Sequence, residues 1–253
     1  MFNPLDHPLL ILALSLSVSW FAAWLGGFLR TKEEEREEVN RAEFKFVLGG
    51  TLTLLGLIIG FTFSMAVTRY DLRKNYEEQE ANAIGTEYVR ADLLPAADTA
   101  KVRALLKRYL DERIIQYKTR GNQRLREVDA QIAQLQSQMW SVVSAPAAAQ
   151  PSPVMALVVS GMNDVLNSQG YTQAAWWNRI PTGAWVLLIT TSVFCNLLIG
   201  YVAHGKNVFL FLVLPVVLSI ALFLIADIDS PRGGIIRVQP QNLESLAESL
   251  KPQ

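Results

Sequence analysis

The sequence contains few of the residues that commonly carry chemistry: one cysteine, Cys195, and two histidines, His7 and His204. A single cysteine cannot form a disulfide within the chain, so it indicates nothing about the redox compartment. Two histidines this far apart do not match the spacing of a metal site. The sequence also lacks phosphate-binding loops, metal-spaced clusters and nucleophile elbows. We therefore predict no catalytic residue, no metal and no cofactor, and we do not expect an enzyme.

Charge is missing from four long stretches. The chain has 23 acidic and 23 basic residues, so its net charge indicates neither a nucleic acid nor another charged partner. No Asp, Glu, Lys or Arg lies inside the apolar blocks Leu9 to Leu29, Phe46 to Thr68, Gly183 to Ala203 and Val208 to Ala226. At about 1.5 Å per residue, each block can cross the roughly 30 Å of hydrocarbon as a helix. The sequence predicts an all-α membrane protein with four transmembrane helices in membrane lipid, the first of them retained and not cleaved as a signal peptide.

These blocks divide the chain into four predicted parts. Residues 1–68 hold the first pair of membrane helices, 69–180 a helical soluble region, 181–228 the second pair, and 229–253 a tail. Lys and Arg residues near the ends of the blocks are shared evenly between the two sides of the membrane. The positive-inside rule therefore does not decide the orientation.

Helical periodicity runs through the soluble region. The second membrane helix is predicted to continue from Tyr70 to Leu94, where Pro95 stops it, and Asp98 is predicted to cap the next helix. A breaker-rich linker then covers Pro146 to Pro153, and a short helix is expected over Val154 to Ser168. Between these lie two apolar stripes separated by Gly121, namely Val102, Leu105, Leu106, Tyr109, Leu110 and Ile114, then Leu125, Val128, Ile132, Leu135 and Met139. The pattern predicts an antiparallel helical hairpin rather than a second globular domain.

Aromatic and acidic residues mark the edges of the last two blocks. Two aspartates lie just beyond the fourth block, where we expect Asp227 and Asp229 to pair with a base such as Arg232 or Arg69. Three tryptophans crowd the entrance to the third block, as in an interfacial aromatic belt: Trp176, Trp177 and Trp185.

Small and polar residues share one face of the second block. At about 100° per residue, a single stripe holds Gly49, Thr53, Gly56, Leu57, Gly60, Phe61, Ser64 and Thr68. The same spacing continues the stripe beyond the block through Asp71, Asn75, Glu78 and Asn82. One interpretation is close helix packing, since Gly56 and Gly60 form a small-residue motif and hydroxyls can bond across helices. The other is a pore lined by copies of this helix. Periodicity alone favours packing.

Several segments resemble a known family. Residues 59–76, IGFTFSMAVTRYDLRKNY, are similar to the second transmembrane helix of bestrophins, through Gly60, Phe61, Val67, Thr68, Arg69, Tyr70 and Tyr76. Over nearly the whole chain from Phe46 onward, the sequence resembles the bacterial bestrophin-like membrane protein family. The segments that carry this resemblance are EEQEANAIGTEYVRADLLP (77–95), MNDVLN (162–167), NRIP (178–181) and DIDSPRGGIIRV (227–238).

The resemblance implies an oligomeric, pentameric ion channel in the plasma (inner) membrane, with both termini and the helical hairpin in the cytoplasm. Carried over residue by residue, the bestrophin neck corresponds to Thr53, Leu57 and Phe61. Only two of these are apolar, so this chain departs from the family pattern. No counterpart of the calcium clasp is found. The stripe continues into Asp71, Asn75 and Glu78 as a cytoplasmic ion path, and its acids favour cations among the inorganic ions.

The alternative function is a non-conducting membrane scaffold or sensor. In that case the glycine stripe only packs helices, and the cytoplasmic hairpin binds a protein partner. Its support in the sequence is the heptad seam from Leu125 to Met139, because such seams also join separate chains.

Overall fold

The computed structural model describes residues 7–29, 37–202 and 208–251. In these ranges every regular element is a helix. The α-helices are α1 (Pro8–Phe28), α2 (Glu37–Arg90), α3 (Ala96–Lys118), α4 (Asn122–Ala149), α5 (Pro153–Trp177), α6 (Thr182–Val202), α7 (Val208–Asp229) and α8 (Gln241–Ser249), and one 3₁₀ turn covers Ala91–Leu93.

Four helical stretches are long and apolar enough to cross a membrane, and each overlaps one predicted block. The prediction of an all-α membrane protein with four transmembrane helices is therefore confirmed. α1 and α6 match their blocks to within a residue or two, whereas α2 extends far beyond its block at both ends.

The chain divides into two compact units. The membrane unit consists of Met1–Arg69 and Arg179–Arg237, and the helical unit consists of Tyr70–Asn178 and Val238–Gln253. The boundary falls inside α2, so this helix contributes residues to both.

In the membrane unit, α1 packs against α6 and α7. The closest approach is at two glycines. A Cβ added to Gly26 would overlap the backbone carbonyl of Leu197, and one added to Gly200 would overlap the carbonyl of Ala23. Because membrane helices gain little from hydrophobic burial against one another, small residues that permit close backbone contact are what hold them together.

The helical unit has a hydrophobic core of its own. Both predicted apolar stripes enter it: Val102, Leu106, Tyr109 and Leu110 of α3 are buried, as are Val128, Ile132, Leu135 and Met139 of α4. α2, α5 and α8 add residues such as Ile84, Met162 and Leu243. The description as a simple hairpin was therefore too limited, because five helices share this core.

Several local predictions in the helical unit were wrong. Pro95 does end the run of α2 with its 3₁₀ turn, but it is also the N-cap of α3, so Asp98 lies within the first turn and is not the cap. α4 continues through Pro146 to Ala149, which leaves a break of only three residues. α5 begins where the Ser152 hydroxyl accepts a hydrogen bond from the Met155 amide, at 3.1 Å, and it runs to Trp177 instead of ending near Ser168.

The three tryptophans do not form one belt. Trp177 is 76% exposed, but Trp176 and Trp185 are buried. Trp176 packs edge-on against Tyr117, with ring centroids 5.2 Å apart. Trp176 is thus a core residue of the helical unit.

Candidate pore-lining face

The predicted stripe on α2 is uncovered in the membrane unit. Leu57 and Phe61 are 55% and 66% exposed. The residues buried on this part of α2 are Leu55, Thr62 and Ala66, which lie roughly on the opposite side of the helix at about 100° per residue. The remaining stripe residues of this unit are all exposed: Gly49, Thr53, Gly56, Gly60, Ser64 and Thr68.

The glycines of this stripe do not pack against the chain itself. A Cβ added at Gly49, Gly56 or Gly60 would meet no described atom within 4 Å. Gly26 and Gly200 of the same unit differ from them, because a Cβ at either position would overlap the backbone of a neighbouring helix. Close packing between helices of one chain is therefore not the role of the Gly56 and Gly60 pair among the described residues.

Threonine hydroxyls on α2 donate to their own helix. Thr53 Oγ1 donates to the Gly49 carbonyl at 3.0 Å, and Thr68 Oγ1 donates to the Ser64 carbonyl at 2.9 Å. A hydroxyl has one proton to donate and two lone pairs. Once its proton is engaged in this way, each oxygen can present only acceptor lone pairs to whatever lies beside the stripe.

In the helical unit, the polar continuation of the stripe is exposed as well. Asp71, Asn75, Glu78 and Asn82 all face outward. Arg73, Glu77, Glu80 and Glu87 of the same helix are buried. α2 therefore carries two sets of charged residues here, and only one of them is accessible.

Glu77 caps a helix that is distant in sequence. Its Oε1 accepts hydrogen bonds from the backbone amides of Asn242 and Leu243, at 2.9 and 3.0 Å, and its Oε2 accepts one from Asn242 Nδ2 at 2.6 Å. The two backbone amides are among the donors at the N-terminus of α8 that have no partner within the helix. Burial raises the pKa of Glu77, and the hydrogen bonds from Leu243 and Asn242 lower it, with a net increase.

Glu80 forms a buried ion pair with Arg113 of α3. Arg113 Nε and Nη2 donate to the two carboxylate oxygens, the second at 2.8 Å, and neither side chain is exposed. Thr172 Oγ1 of α5 lies 3.3 Å from Glu80 Oε2 and 3.1 Å from the Ser168 carbonyl, and its single proton can be donated to either oxygen. Burial is the largest effect and lowers the pKa of Arg113, but the charge of Glu80, its hydrogen bonds and the nearby Tyr109 and Tyr117 together raise it, so the net shift is upward. The pair joins α2, α3 and α5 at the centre of the helical unit.

The sequence matches a known protein family. The family model of the Bestrophin-like domain matches residues 10–243. The chain belongs to the bestrophin-like family. The comparison with curated proteins finds no match.

Solved structures share the bestrophin-like fold. A crystal structure of a bacterial bestrophin homolog from Klebsiella pneumoniae is 16% identical, with a TM-score of 0.62 over 96% of this chain and 99% of that one. A point mutant of a bacterial bestrophin homolog from the same organism is 14% identical, with a TM-score of 0.63 over 94% of this chain and 96% of that one. At this level of identity the likeness shows the fold alone.

Residues of the bestrophin-like segments are largely occupied by structural contacts. Asp227 Oδ1 and Oδ2 accept hydrogen bonds from the backbone amides of Ile235 and Ile236, both at 2.7 Å. Asp229 accepts from the Ile180 amide at 3.0 Å and lies 3.3 Å from Arg179 Nε. Through these hydrogen bonds, the two aspartates at the end of α7 hold Ile180, just before α6, and the segment after α7, Ile235 and Ile236. Arg179 is a partner of Asp229 that the sequence did not predict.

Metal ligands are not grouped into a site in the described part of this bestrophin-like chain. Among the described residues, no group of three or more His, Cys, Asp or Glu side chains is placed to hold a metal ion. Sequence reasoning missed the structural roles of Glu77 and Glu80, although a signal was present. At about 100° per residue, both acids share the face of the buried Ala66 and Arg73, opposite the exposed stripe.

Proposed function

We propose that the chain is one subunit of a homo-oligomeric ion channel, pentameric as in the family resemblance, whose pore is lined by α2. The observation that carries this proposal is the uncovered stripe. Within a membrane, a face of glycines and hydroxyls gains nothing from contact with lipid, whereas it suits close approach between copies or contact with a water-filled path. Copies of α2 around an axis would provide both.

The proposed neck is formed by Thr53, Leu57 and Phe61. These residues are four apart, so they lie on successive turns, about 6 Å from one another along the helix. Leu57 and Phe61 would form an apolar constriction, which gates by excluding water. Thr53 would make one level of the neck polar, so we expect a weaker barrier there than at the other two levels.

Cations are the ions that the lining favours. The hydroxyl oxygens of Thr53 and Thr68 have their protons engaged with helix carbonyls, which leaves lone pairs that suit a cation. Asp71 and Glu78 add exposed negative charge to the continuation of the stripe, with Asn75 between them. Rings of such acids favour cation passage. We expect the reversal potential in a KCl gradient to indicate cation selectivity. The double variant Asp71→Asn, Glu78→Gln should reduce this selectivity. Asp111→Asn, which removes an exposed acid of α3, should leave the selectivity unchanged.

The decisive experiment records currents from purified protein in lipid bilayers. Phe61→Ala should raise the single-channel conductance, because it removes the bulkiest side chain of the proposed neck. Phe63→Ala is the matched control: Phe63 is also an exposed aromatic residue of α2, but it lies about 160° away around the helix. If neither the wild type nor Phe61→Ala gives a current, the channel proposal is wrong. If Phe61→Ala and Phe63→Ala increase the conductance equally, Phe61 is not part of the neck.

Assembly and orientation have separate tests. Mass measurement of the particle in detergent should give five copies, and a monomer would contradict the proposed ring. We place the protein in the plasma (inner) membrane as a multi-pass protein with cytoplasmic termini. A fluorescent reporter that folds only in the cytoplasm, fused after residue 253, should therefore be bright.

The alternative function, a non-conducting scaffold or sensor, rested on the heptad seam from Leu125 to Met139 as a surface for a partner. Val128, Ile132, Leu135 and Met139 of the heptad seam are buried in the core of the helical unit. A buried seam has no free surface to offer a partner, so we do not favour this function.

A further inference from the structure

Glu87 of α2 is a buried acid without a hydrogen-bond partner. Its exposed fraction is 0%, and neither carboxylate oxygen forms a hydrogen bond with the described residues. Glu77 and Glu80, on the same helix, both engage several donors. An isolated buried carboxylate is costly, and such groups usually take up a proton instead.

The carboxyl group lies against the backbone of α5. A Cβ added at Gly161 would meet Glu87 Oε2 and Arg90 Nη1 as its two nearest atoms, followed by Glu87 Cδ at 3.1 Å. Any side chain at position 161 would therefore displace the carboxyl group. Val158, Met162 and Val165 surround Gly161 in sequence and belong to the hydrophobic core. The packing of this stretch of α5 thus depends on where the Glu87 carboxyl group sits.

Two charged residues act on this group, one from each helix. The pKa of Glu87 is raised to about 8, mainly by burial, while Arg90 on α2 lowers it and Asp164 on α5 raises it. Arg90 Nη1 and Glu87 Oε2 both lie beside Gly161, but neither oxygen of Glu87 forms a hydrogen bond with the described residues. The carboxyl group therefore keeps its proton at neutral pH.

We propose that Glu87 is a proton-binding site that couples pH to the packing of α5 against α2 in the helical unit. With its proton bound, the uncharged group fits the buried contact at Gly161. When the proton is lost, the cost of burying a negative charge and its repulsion by Asp164 outweigh the attraction of Arg90, and the contact between the two helices weakens. Two of the segments that carry the family resemblance contribute to the site: residues 77–95 contain Glu87 and Arg90, and residues 162–167 contain Asp164. It does not require the protein to conduct ions.

The direction of the pH effect follows from the raised pKa. The unfolded chain releases this proton near the ordinary value of 4.5, whereas the folded chain releases it near 8. Below 4.5 both states are protonated and the site does not affect stability. As pH rises from about 4.5 to about 8, the folded state is progressively disfavoured relative to the unfolded one, and above this range the loss is complete.

The test is thermal unfolding of the full chain in detergent between pH 5 and pH 9. The wild-type midpoint should fall as pH rises, and Glu87→Gln, which keeps the shape of the group without its proton equilibrium, should flatten this part of the profile. Glu127→Gln is the matched control, because Glu127 is an exposed acid of α4 in the same helical unit, and it should keep the wild-type profile. A Glu87→Gln profile identical to that of the wild type would overturn the proposal.

Infrared spectroscopy decides the question if Glu87→Gln does not fold. The carbonyl stretch of a protonated carboxylic acid should be present in the wild type at pH 7 and disappear by pH 9.5. The band must persist in Glu77→Gln, because Glu77 is the other buried glutamate whose pKa is raised. A wild type with no such band at pH 7, or a band that Glu77→Gln removes entirely, would refute a proton on Glu87.

Discussion

Removing Arg113 should destabilise the helical unit more than removing any exposed charge. Arg113→Leu would leave the Glu80 carboxylate buried, and among the described residues its remaining potential donor would be the Thr172 hydroxyl, 3.3 Å away and also in contact with the Ser168 carbonyl. Glu80 would lose both bonds from the guanidinium, and Gln116 Oε1 would lose its bond from Arg113 Nη1. Breaking one side of a buried ion pair costs about 3–5 kcal/mol, so we expect a loss of stability in that range.

The matched control is an ion pair at the surface of the same unit. Lys118 and Glu244 form a salt bridge with side chains 55% and 42% exposed. Lys118→Ala should cost no more than about 1 kcal/mol, because solvent screens exposed pairs. The fluorescence of the six tryptophans of the chain, among them Trp176 in the core of the helical unit, can report the unfolding midpoint of the full chain in detergent.

The double variant separates charge from packing. Glu80→Leu combined with Arg113→Leu leaves no unpaired charge, so it should recover much of the stability lost in Arg113→Leu alone. If Arg113→Leu lowers the midpoint no more than Lys118→Ala does, the argument from the buried pair is refuted. If the double variant is as unstable as the sum of its parts, the pair acts through shape and not through charge.

Two further predictions concern helix contacts. Gly26→Ala should lower the unfolding midpoint of the full chain in detergent by the equivalent of about 1–3 kcal/mol or more, because the added Cβ would overlap the Leu197 carbonyl. Gly27→Ala is the control and should be tolerated, since the nearest atom to its added Cβ would be 3.6 Å away. Equal effects of the two variants would contradict the close contact at Gly26. Glu77→Ala should destabilise α8 by about 0.5–2 kcal/mol and increase the rate of limited proteolysis within residues 241–249, as measured by mass spectrometry. Glu78→Ala, at the exposed neighbouring residue, should leave the cleavage rate unchanged. Protection of α8 in both variants would show that Glu77 is not its cap.

The membrane helices could be predicted because lipid imposes a constraint that is local in sequence. A run without charge, long enough to cross the hydrocarbon, leaves the backbone few choices other than a helix. α1 and α6 accordingly match their predicted blocks closely. The stripe on α2 followed from the same regularity, and its exposure in the chain agrees with a face reserved for something other than intramolecular packing.

The helical unit was harder to predict because its determinants are distant in sequence. Glu77 bonds to Asn242, 165 residues away, and Glu80 bonds to Arg113, 33 residues away. No local pattern shows that an acid has such a partner. Pro146 misled for a different reason: prolines usually end helices, but α4 continues for three alanines beyond it, and alanine is the strongest helix former.

The capping of α8 by Glu77 also constrains the order in which the protein can be built. Translation proceeds at about 5–20 residues per second, so the 165 residues that separate Glu77 from Asn242 correspond to a delay of roughly 8 to 33 s. α6 and α7 are made within that interval. Until α8 has been made, the Glu77 carboxylate of the nascent chain lacks the amides of Asn242 and Leu243 from which it accepts hydrogen bonds in the folded protein.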